Sequence, residues 1–354
     1  MRAFVTGATG LLGNNLVRHL RSRGHEVVGL VRSADKARWL LGDTGAKWIE
    51  GDMRDVAAFA AALDGCDAVF HTAAYFREYY QPGRHDDGLE AVNIRGTLAL
   101  LEAADARGVK KFIHVSSAGT IGRKPDGSPG DEDTPPAAYA YTNGYFMSKV
   151  DGDAALARFR ARHGLELVEI LPGWMWGPGD AAPTPAGQLA LDFLGGRLPI
   201  IPDGGTSTVD ARDVAAAMLA ACERAPAGAR YVVGGRYTSA AEMLGLLEAE
   251  TGLPGPRRRL PYAFVWLFAF LSELWGRLTG RPVLITRAGL SVLRARLNVS
   301  SARAEEGLGI AFRPLATTVR DVVSWYRAEP RFATAIGNAT KATGARTALG
   351  PSSR

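Results

Sequence analysis

Near its start the chain carries the glycine-rich stretch Thr6-Gly7-Ala8-Thr9-Gly10-Leu11-Leu12-Gly13. It follows a short apolar run, residues 2–6, typical of a buried strand, and it precedes an apolar pattern of helical spacing. Glycines in such a turn let the backbone approach a phosphate, and the free N–H groups of the next helix favour an anion. The stretch therefore predicts a pyrophosphate site, formed by Gly7, Gly10, Leu11, Leu12 and Gly13.

Further apolar runs of strand length follow, separated by helical segments. They lie at residues 26–31, 47–50, 68–71, 112–115, 167–171 and 231–233. Strands that alternate with helices form a parallel sheet covered on both faces. We therefore predict an α/β fold: a Rossmann-type, doubly wound parallel sheet with a smaller, mostly helical C-terminal substrate lobe.

Proline and glycine become frequent after residue 172, which is typical of a segment that covers a ligand. We assign residues 1–172 and 207–235 to a dinucleotide-binding domain, and residues 173–206 and 236–327 to the substrate lobe. The small, polar and basic residues 328–354 are expected to form a disordered tail.

The composition excludes several classes of protein. The chain has 354 residues, 47% apolar and 22% charged, which argues against a disordered, fibrous or polytopic membrane protein. Its two cysteines lie far apart, which excludes a disulfide scaffold, and no histidine has a partner at metal-ligand spacing, so we expect no metal. The first residues lack an apolar segment of signal-peptide length, so we expect a cytoplasmic protein.

Positive charge is concentrated in one segment. The net charge of the chain is +6, whereas residues 255–304 contain nine arginines and one acid, Glu273, and so contribute +8. Such a local charge argues against a nucleic-acid partner. The same segment contains the apolar run Leu260–Leu271, which has two interpretations. We favour a helix buried in the lobe, and leave open a weak membrane-surface contact through residues 257–281.

The end of the second predicted strand bears on which dinucleotide binds. An acidic residue there would bind the ribose 2′-hydroxyl of NAD, but the strand ends in Val31-Arg32-Ser33. The Arg32 guanidinium suits a 2′-phosphate, so the sequence favours NADP(H) over NAD(H), with a solvated arginine as the alternative. After the third strand, Asp52 and Met53 are expected to contact adenine. The alternative for Asp52 is a helix N-cap, for which Asp55 is better placed.

A serine, a tyrosine and a lysine form the candidate catalytic set. Ser117 ends the fifth strand, and Tyr145 and Lys149 follow on one face of a predicted helix, four residues apart. A lysine ammonium beside a phenol is expected to lower the pKa of the tyrosine, which suits it to proton transfer. The serine hydroxyl would orient a substrate carbonyl.

These motifs together resemble those of the extended short-chain dehydrogenase/reductases, in the NAD-dependent epimerase/dehydratase family, over roughly residues 2–326. The stretch Val115-Ser116-Ser117-Ala118-Gly119-Thr120 is similar to the dihydroflavonol-4-reductase-like branch, which generally uses NADP. The resemblance implies that Ser117, rather than Ser116, acts with Tyr145 and Lys149. It implies cofactor contacts by Gly7, Gly10, Gly13, Asp52, Met53, Thr72, Ala73, Ala74, Asn93, Tyr145, Lys149, Pro172 and Gly173.

Departures from the family pattern narrow the chemistry. Ala118-Gly119 stand where the family's sugar-nucleotide dehydratases carry acidic residues, which disfavours dehydration. The candidate substrate residues are aromatic: Tyr75, Phe76, Trp174 and Trp176. They predict a small, apolar or ring-containing substrate, and the alternative is that they pack the lobe against the sheet.

The sequence therefore predicts an NADP-dependent oxidoreductase that interconverts a carbonyl and an alcohol on a small molecule. Two other functions stay open: a sugar or nucleotide-sugar epimerase that retains its NAD(P), and a non-catalytic NADP-binding regulator. The complete serine, tyrosine and lysine set argues against the regulator. The substrate, the direction of reaction and a homodimeric state are left open.

Overall fold

The computed structural model describes residues 1–81, 83–279 and 286–337. Its larger sheet has seven parallel strands in the order β3-β2-β1-β4-β5-β6-β9. The strands are β1 (Arg2–Thr6), β2 (Glu26–Val31), β3 (Lys47–Glu50), β4 (Ala68–His71), β5 (Lys111–Val115), β6 (Glu166–Pro172) and β9 (Arg230–Val233). Each of the seven predicted strand runs lies in one of them, and the predicted Rossmann-type fold is confirmed.

A second, three-stranded sheet was not predicted from the sequence. It consists of β7 (Trp174–Trp176), β8 (Gly205–Asp210) and β10 (Arg236–Ser239), in the order β10-β8-β7. Strand β7 is parallel to β8, and β10 is antiparallel to β8. The sheet joins the lobe to the larger sheet, because β7 follows β6 after Gly173 alone. The proposed domain boundaries stay a prediction, and β8 crosses the one drawn between residues 206 and 207.

Thirteen α-helices are assigned within the described residues. They are α1 (Leu11–Ser22), α2 (Ala34–Leu41), α3 (Asp86–Leu89), α4 (Thr97–Ala106), α5 (Gly144–Arg160), α6 (Pro185–Leu194), α7 (Ala211–Arg224), α8 (Ala240–Thr251), α9 (Tyr262–Thr279), α10 (Arg287–Ala295), α11 (Ala302–Leu308), α12 (Leu315–Ala328) and α13 (Ala333–Ile336). A π-helical segment, Glu90–Gly96, lies between α3 and α4. In the described ranges, no helix is long and apolar enough to cross a bilayer.

The large sheet is buried on both faces. Leu16 and Leu20 of α1 and Met218 of α7 belong to the core on one face, and Leu100 of α4 and Leu156 of α5 to the core on the other. Each such side chain contributes roughly 1.5–3 kcal/mol by its burial. The strand order reverses between β1 and β4, where successive connections leave toward opposite faces. This divergence opens a crevice at the carboxyl ends of the strands.

Two expectations about the C-terminal region need correction. Helix α9 contains the apolar run that was expected to be buried, but among its residues with a described side chain only Val265, Ala269 and Gly276 are buried. The expectation failed because apolar composition shows that a helix needs a partner, not that the lobe supplies one. The disordered tail cannot start at residue 328, because α13 packs against α6. Residues 338–354 lie outside the described residues.

Candidate active site

A cavity of about 1140 Å³ extends from the glycine-rich turn to the C-terminal lobe. It opens at the carboxyl ends of the parallel strands, at the reversal of strand order. Of the candidate residues, the cavity is lined by Gly7, Gly10, Leu11, Leu12, Gly13, Arg32, Asp52, Met53, Thr72, Ala73, Ala74, Tyr75, Phe76, Ser117, Tyr145, Lys149, Pro172, Gly173 and Trp174. Asn93 and Trp176 do not line it.

At two positions of the glycine-rich turn the neighbouring backbone leaves no room for a side chain. Gly7 has a left-handed φ of +66°, and a Cβ there would lie 2.9 Å from the backbone of Ala73. A Cβ on Gly13 would overlap the carbonyl oxygen of Gly7. Gly10 is the N-cap residue of α1 and offers no side-chain hydrogen bond to the first turn of the helix. The backbone N–H groups in the first turn of α1 are therefore left for a pyrophosphate, which can accept hydrogen bonds from them.

Three cations lie around the candidate 2′-phosphate position at the end of β2. Arg32 and Arg77 both approach Glu78, each at 3.5 Å between nitrogen and oxygen, and Lys36 stands in the first turn of α2. Burial and then the charge of Arg77 lower the pKa of Lys36. Sequence reasoning missed Lys36 and Arg77. Lys36 could have been found from the sequence, because it follows Arg32 by four residues. Arg77 could not, because it comes from a distant loop.

The adenine end of the cavity is organised by the turn after β3. The Asp52 carboxylate accepts a hydrogen bond from the backbone N–H of Arg54 at 2.9 Å, and Met53 is buried. Asp55 caps the following 3₁₀ helix through the N–H of Ala58 at 3.3 Å, as expected. Asp52 is therefore not needed as the cap and lines the cavity.

The loop after β4 is held by hydrogen bonds to β1. Thr72 donates to the carbonyl of Thr6 at 2.7 Å, and the N–H of Ala73 donates to the Thr6 hydroxyl at 3.2 Å. His71 bridges Thr6 and Thr97 at 2.7 and 2.9 Å, and burial lowers its pKa to about 3. His71 is thus neutral and structural, and the loop that lines the cavity is tied to β1 by these hydrogen bonds.

Asn93 lies in the π-helical segment and supports the loop that lines the cavity. Its amide oxygen accepts from the N–H of Tyr75 at 2.7 Å, and its amide nitrogen donates to the Ser148 hydroxyl at 3.0 Å. This corrects the expectation of a direct cofactor contact. Asn93 acts on the cavity through Tyr75 as a positioning residue.

Tyr145 and Lys149 lie on the cavity side of α5, which begins after the N-cap residue Asn143. The Lys149 ammonium is 5.9 Å from the centroid of the Tyr145 ring and donates to the carbonyl of Val115 at 2.8 Å. Burial lowers the pKa of Lys149 to about 8, and the charge of Asp153 opposes that shift. Burial, and then the charge of Asp153, raise the pKa of Tyr145.

The pKa of Tyr145 is raised, whereas the sequence-based expectation was that Lys149 would lower this pKa. The phenol is removed from water, which disfavours the phenolate, and the lysine is bonded to a backbone carbonyl instead. In this structure Tyr145 therefore holds its proton across the physiological range.

The two serines after β5 point to different partners. The Ser116 hydroxyl donates to Asp153 at 2.7 Å, whereas Ser117 accepts from the N–H of Gly119 at 3.1 Å and keeps its own proton for another acceptor. Gly119 lies against the Phe146 ring, which would overlap a side chain at that position. This arrangement favours Ser117 as the residue that meets a substrate.

Aromatic side chains enclose Tyr145. The ring centroids of Phe76 and Tyr79 lie 4.9 and 6.4 Å from that of Tyr145, and the Tyr79 hydroxyl accepts from the N–H of Gly144 at 3.1 Å. Phe76 also lines the cavity. Phe76 therefore packs on Tyr145 and also forms part of the cavity wall.

The expectation that Trp176 contacts the substrate needs correction. It is 1% exposed and packs in the lobe core with residues such as Leu191 and Met243, and only its neighbours Trp174 and Met175 line the cavity. The far wall, which sequence reasoning did not assemble, is mainly apolar: Leu189, Leu198, Ile200, Leu260, Val265, Phe268, Leu290, Val292, Leu293 and Leu297. The same segments also contribute polar side chains, which are Thr184, Gln188, Asp192, Thr206, Ser207 and Thr286.

The cations that line the cavity, within the described chain, are Arg32, Lys36, Arg54, Arg77, Lys149 and Arg331. Apart from Lys149 they lie toward the dinucleotide end, where Arg331 stacks on Trp39 at 3.8 Å from the ring centroid. Across residues 1–81, 83–279 and 286–337, no three metal-ligating side chains are grouped as a metal site.

Comparison with known proteins identifies the class. The chain belongs to the NAD dependent epimerase/dehydratase family, whose model matches residues 3–234. It is similar to a dihydroflavonol 4-reductase-like protein of Synechocystis sp., 31% identical over 328 residues, or 92% of this chain and 94% of the relative. Sterol demethylase protein B of Methylococcus capsulatus is 31% identical over 331 residues, or 92% and 98%. The crystal structure of gox2253 superposes with a TM-score of 0.78, at 31% identity over 93% of this chain and 98% of that one.

The particular type follows from these relatives. Further relatives include reductases, dehydrogenases and epimerases, and the protein is accordingly an NAD(P)-dependent oxidoreductase of the extended short-chain dehydrogenase/reductase type.

Proposed function

We propose that this protein is an NADP(H)-dependent reductase of a carbonyl group on a small, apolar or ring-containing substrate. One observation carries the proposal: a continuous cavity has a basic end, a Ser117-Tyr145-Lys149 centre and an apolar wall. The basic end suits a phosphorylated dinucleotide, the centre suits proton transfer to a carbonyl oxygen, and the wall suits a ligand without charge.

The residues at the basic end fit NADP(H). The turn from Gly7 to Gly13 would hold the pyrophosphate, and Arg32 with Lys36 would hold the 2′-phosphate by charge-assisted hydrogen bonds. A dinucleotide of this kind supplies or accepts a hydride when it is bound. The hydrogen bonds from Thr72 and Ala73 to Thr6 keep the adjoining wall in place for it.

The centre of the cavity would supply the proton. The Ser117 hydroxyl donates to the substrate carbonyl oxygen and fixes its position, and Tyr145 gives its proton to the oxygen as the alcohol forms. The Lys149 ammonium, held by the Val115 carbonyl, stabilises the phenolate that remains. The buried Tyr145, with its raised pKa, starts this step in the protonated form that a reduction requires.

The apolar wall supports the substrate class. A nucleotide sugar brings a diphosphate, and the far wall offers it no cation among the described residues, although the N-terminal ends of α6 and α10 reach the cavity at Thr184 and Thr286. A sterol-like or flavonoid-like ring system would instead bury its surface against Leu189, Phe268 and Leu290. The names of the Synechocystis and Methylococcus relatives are consistent with ligands of this kind. An epimerase that retains its cofactor is therefore the weaker candidate, although one relative is a UDP-glucose 4-epimerase.

A substrate panel tests the proposal. The purified protein is mixed with NADPH and, separately, a 3-ketosteroid, a dihydroflavonol and UDP-glucose, and both the loss of NADPH and the products are measured. We expect stoichiometric consumption of NADPH with one of the ring ketones. UDP-glucose is also tested with NAD+ and with NADP+, because epimerisation starts by oxidising the sugar; its interconversion without net change of the cofactor would contradict the proposal and support the epimerase.

A further inference from the structure

One side of helix α9 exposes large apolar side chains over four turns. Their exposed fractions run from 46% to 76%, and they are Phe264, Leu267, Phe268, Leu271, Leu274, Trp275 and Leu278. Spacings of three and four residues place them along one stripe, which we call the α9 face. The opposite side of the helix holds the buried Val265, Ala269 and Gly276.

The α9 face is a continuous apolar stripe along the whole helix. It spans 15 residues, or about 22 Å at the rise of an α-helix. Monomeric proteins in water rarely expose contiguous apolar patches of more than a few hundred Å², and larger ones mark interaction sites. Helix α9 is therefore expected to have a partner outside the described chain.

The charges beside the α9 face are positive and incompletely compensated. Arg257, Arg258 and Arg259 directly precede the helix and are exposed. Arg257 forms an ion pair with Glu248, whereas Arg258 and Arg259 have no ion pair with any described residue. Glu273, the one acid between residues 255 and 304, is bonded to Arg287. The partner of this surface therefore has to supply negative charge as well as an apolar phase.

We propose that the α9 face docks on the surface of a bilayer that contains anionic lipid, with the helix lying in the plane of the interface. Acyl chains cover the apolar stripe, headgroups neutralise Arg258 and Arg259, and Trp275 lies at the headgroup level that tryptophan prefers. The helix is not suited to span the bilayer. A second copy of the chain fits less well, because it would add the same surplus of arginine without an acid to pair with it.

Docking would place the cavity against the lipid. Leu260 and Phe268 are 46% and 49% exposed and also line the cavity. An apolar substrate dissolved in the bilayer would thus reach the cavity beside these two residues without crossing water. This consequence rests on the proposed function, whereas docking itself does not.

Vesicle flotation of the full chain tests the docking. We expect binding to vesicles of equal parts phosphatidylcholine and phosphatidylglycerol, and much weaker binding to phosphatidylcholine alone. Raising the salt from 0.1 M to 1 M shortens the Debye length from about 10 Å to 3 Å and should release much of the protein. Arg258→Gln with Arg259→Gln should weaken binding on the order of 30-fold.

The control is Arg158→Gln with Arg162→Gln, which removes the same charge from exposed positions at the end of α5 and should leave binding unchanged. Leu267→Ser with Leu271→Ser should abolish binding to vesicles of either composition. Thermal unfolding of these variants should match the wild type, because all of the altered side chains are exposed.

Fluorescence places the helix in the lipid. Vesicles that carry brominated acyl chains should quench the wild type, and Trp275→Phe should remove part of that quenching while Trp325→Phe does not. Absence of binding to the anionic vesicles, or quenching that Trp275→Phe leaves unchanged, would overturn the proposal. A dimer in solution that Leu267→Ser with Leu271→Ser dissociates would overturn it in favour of a second copy.

These assays contain no substrate, so their failure is separate from that of the proposed function. Reductase activity without vesicle binding would contradict only the proposed docking. Vesicle binding without reductase activity would contradict only the proposed function.

Discussion

Tyr145 combines burial with a position on the cavity wall. Desolvation and the charge of Asp153 raise its pKa, so the phenol is protonated before any substrate arrives. A general acid must carry its proton at the start of the step, whereas a general base must not. This protonation state is the one that the proposed reduction requires, because Tyr145 acts in it as the general acid.

Replacing Tyr145 by phenylalanine keeps the ring and removes the proton donor. We expect Tyr145→Phe to lower kcat on the order of 10²-fold or more, with NADPH affinity close to that of the wild type. Tyr141→Phe is the matched control, because Tyr141 is 54% exposed one turn earlier in the chain. Steady-state rates and calorimetric titration with NADPH measure both effects, and full activity in Tyr145→Phe would rule out its role.

Arg32 is expected to set the cofactor preference. Arg32→Asp replaces a cation by an anion at the 2′-phosphate position, and a charge-assisted contact contributes roughly 1.5–3 kcal/mol, or about 10- to 150-fold in affinity. NADPH binding should weaken by that factor, with NADH affected much less. Arg38→Asp, on the exposed side of the next helix, should leave the ratio unchanged. A wild type that binds NADH more tightly than NADPH in calorimetry would contradict the assignment.

The ionisation of Lys149 should appear in the pH dependence. Its pKa in the folded protein is about 8, so the ammonium is present below this pH and is lost as the pH rises through it. We expect kcat/KM to fall on the alkaline side with that midpoint. Asp153 raises the pKa of Lys149, so Asp153→Asn should move the alkaline limb to lower pH. Asp151→Asn, exposed on the same helix, should not move it, and an unshifted limb in Asp153→Asn would exclude the coupling.

The first turn of α1 can pack against the Gly7 carbonyl only because Gly13 has no side chain. Gly13→Ala would push a methyl group into the carbonyl of Gly7, and overpacking of this kind costs about 1–3 kcal/mol. We expect a lower melting temperature and weaker binding of NADPH and NADH alike. Gly245→Ala is the control, because it lies inside α8 with open space around its Cβ position and should keep or raise stability. Equal behaviour of the two variants in thermal unfolding would contradict the tight turn.

Elements were predictable where a local pattern determines them. The runs that form β1 and β2 are short, apolar and bounded by turns, and the structure places strands there. The three strands of the smaller sheet escaped prediction because β7 has only three residues and β8 is polar, so neither has the pattern of a buried strand. Helix α9 was predicted as a helix segment but with the wrong surroundings, since burial depends on tertiary contacts that the sequence does not state.

At the scale of the whole molecule, the candidate site mixes predictable and unpredictable parts. The spacing of Tyr145 and Lys149 and the glycines of the first turn are local, so the sequence alone points to them. Arg77 and Phe268 reach the cavity from segments far apart in the chain, and only the fold brings them to the same space. Trp174 and Trp176 look equivalent in the sequence, yet the packing of the lobe turns one to the cavity and buries the other.

In the proposed reaction NADPH gives its hydride to the carbonyl carbon of the substrate, Tyr145 supplies the proton, and the alcohol is released. The direct test uses NADPH that carries deuterium at the transferred position of its nicotinamide, together with the ring ketone that the substrate panel identifies. Mass spectrometry of the released alcohol should find one deuterium at the former carbonyl carbon, and Tyr145→Phe should slow its appearance by the factor given above. A released product without deuterium would contradict the proposed reduction. So would deuterium that stays on a cofactor which the protein retains.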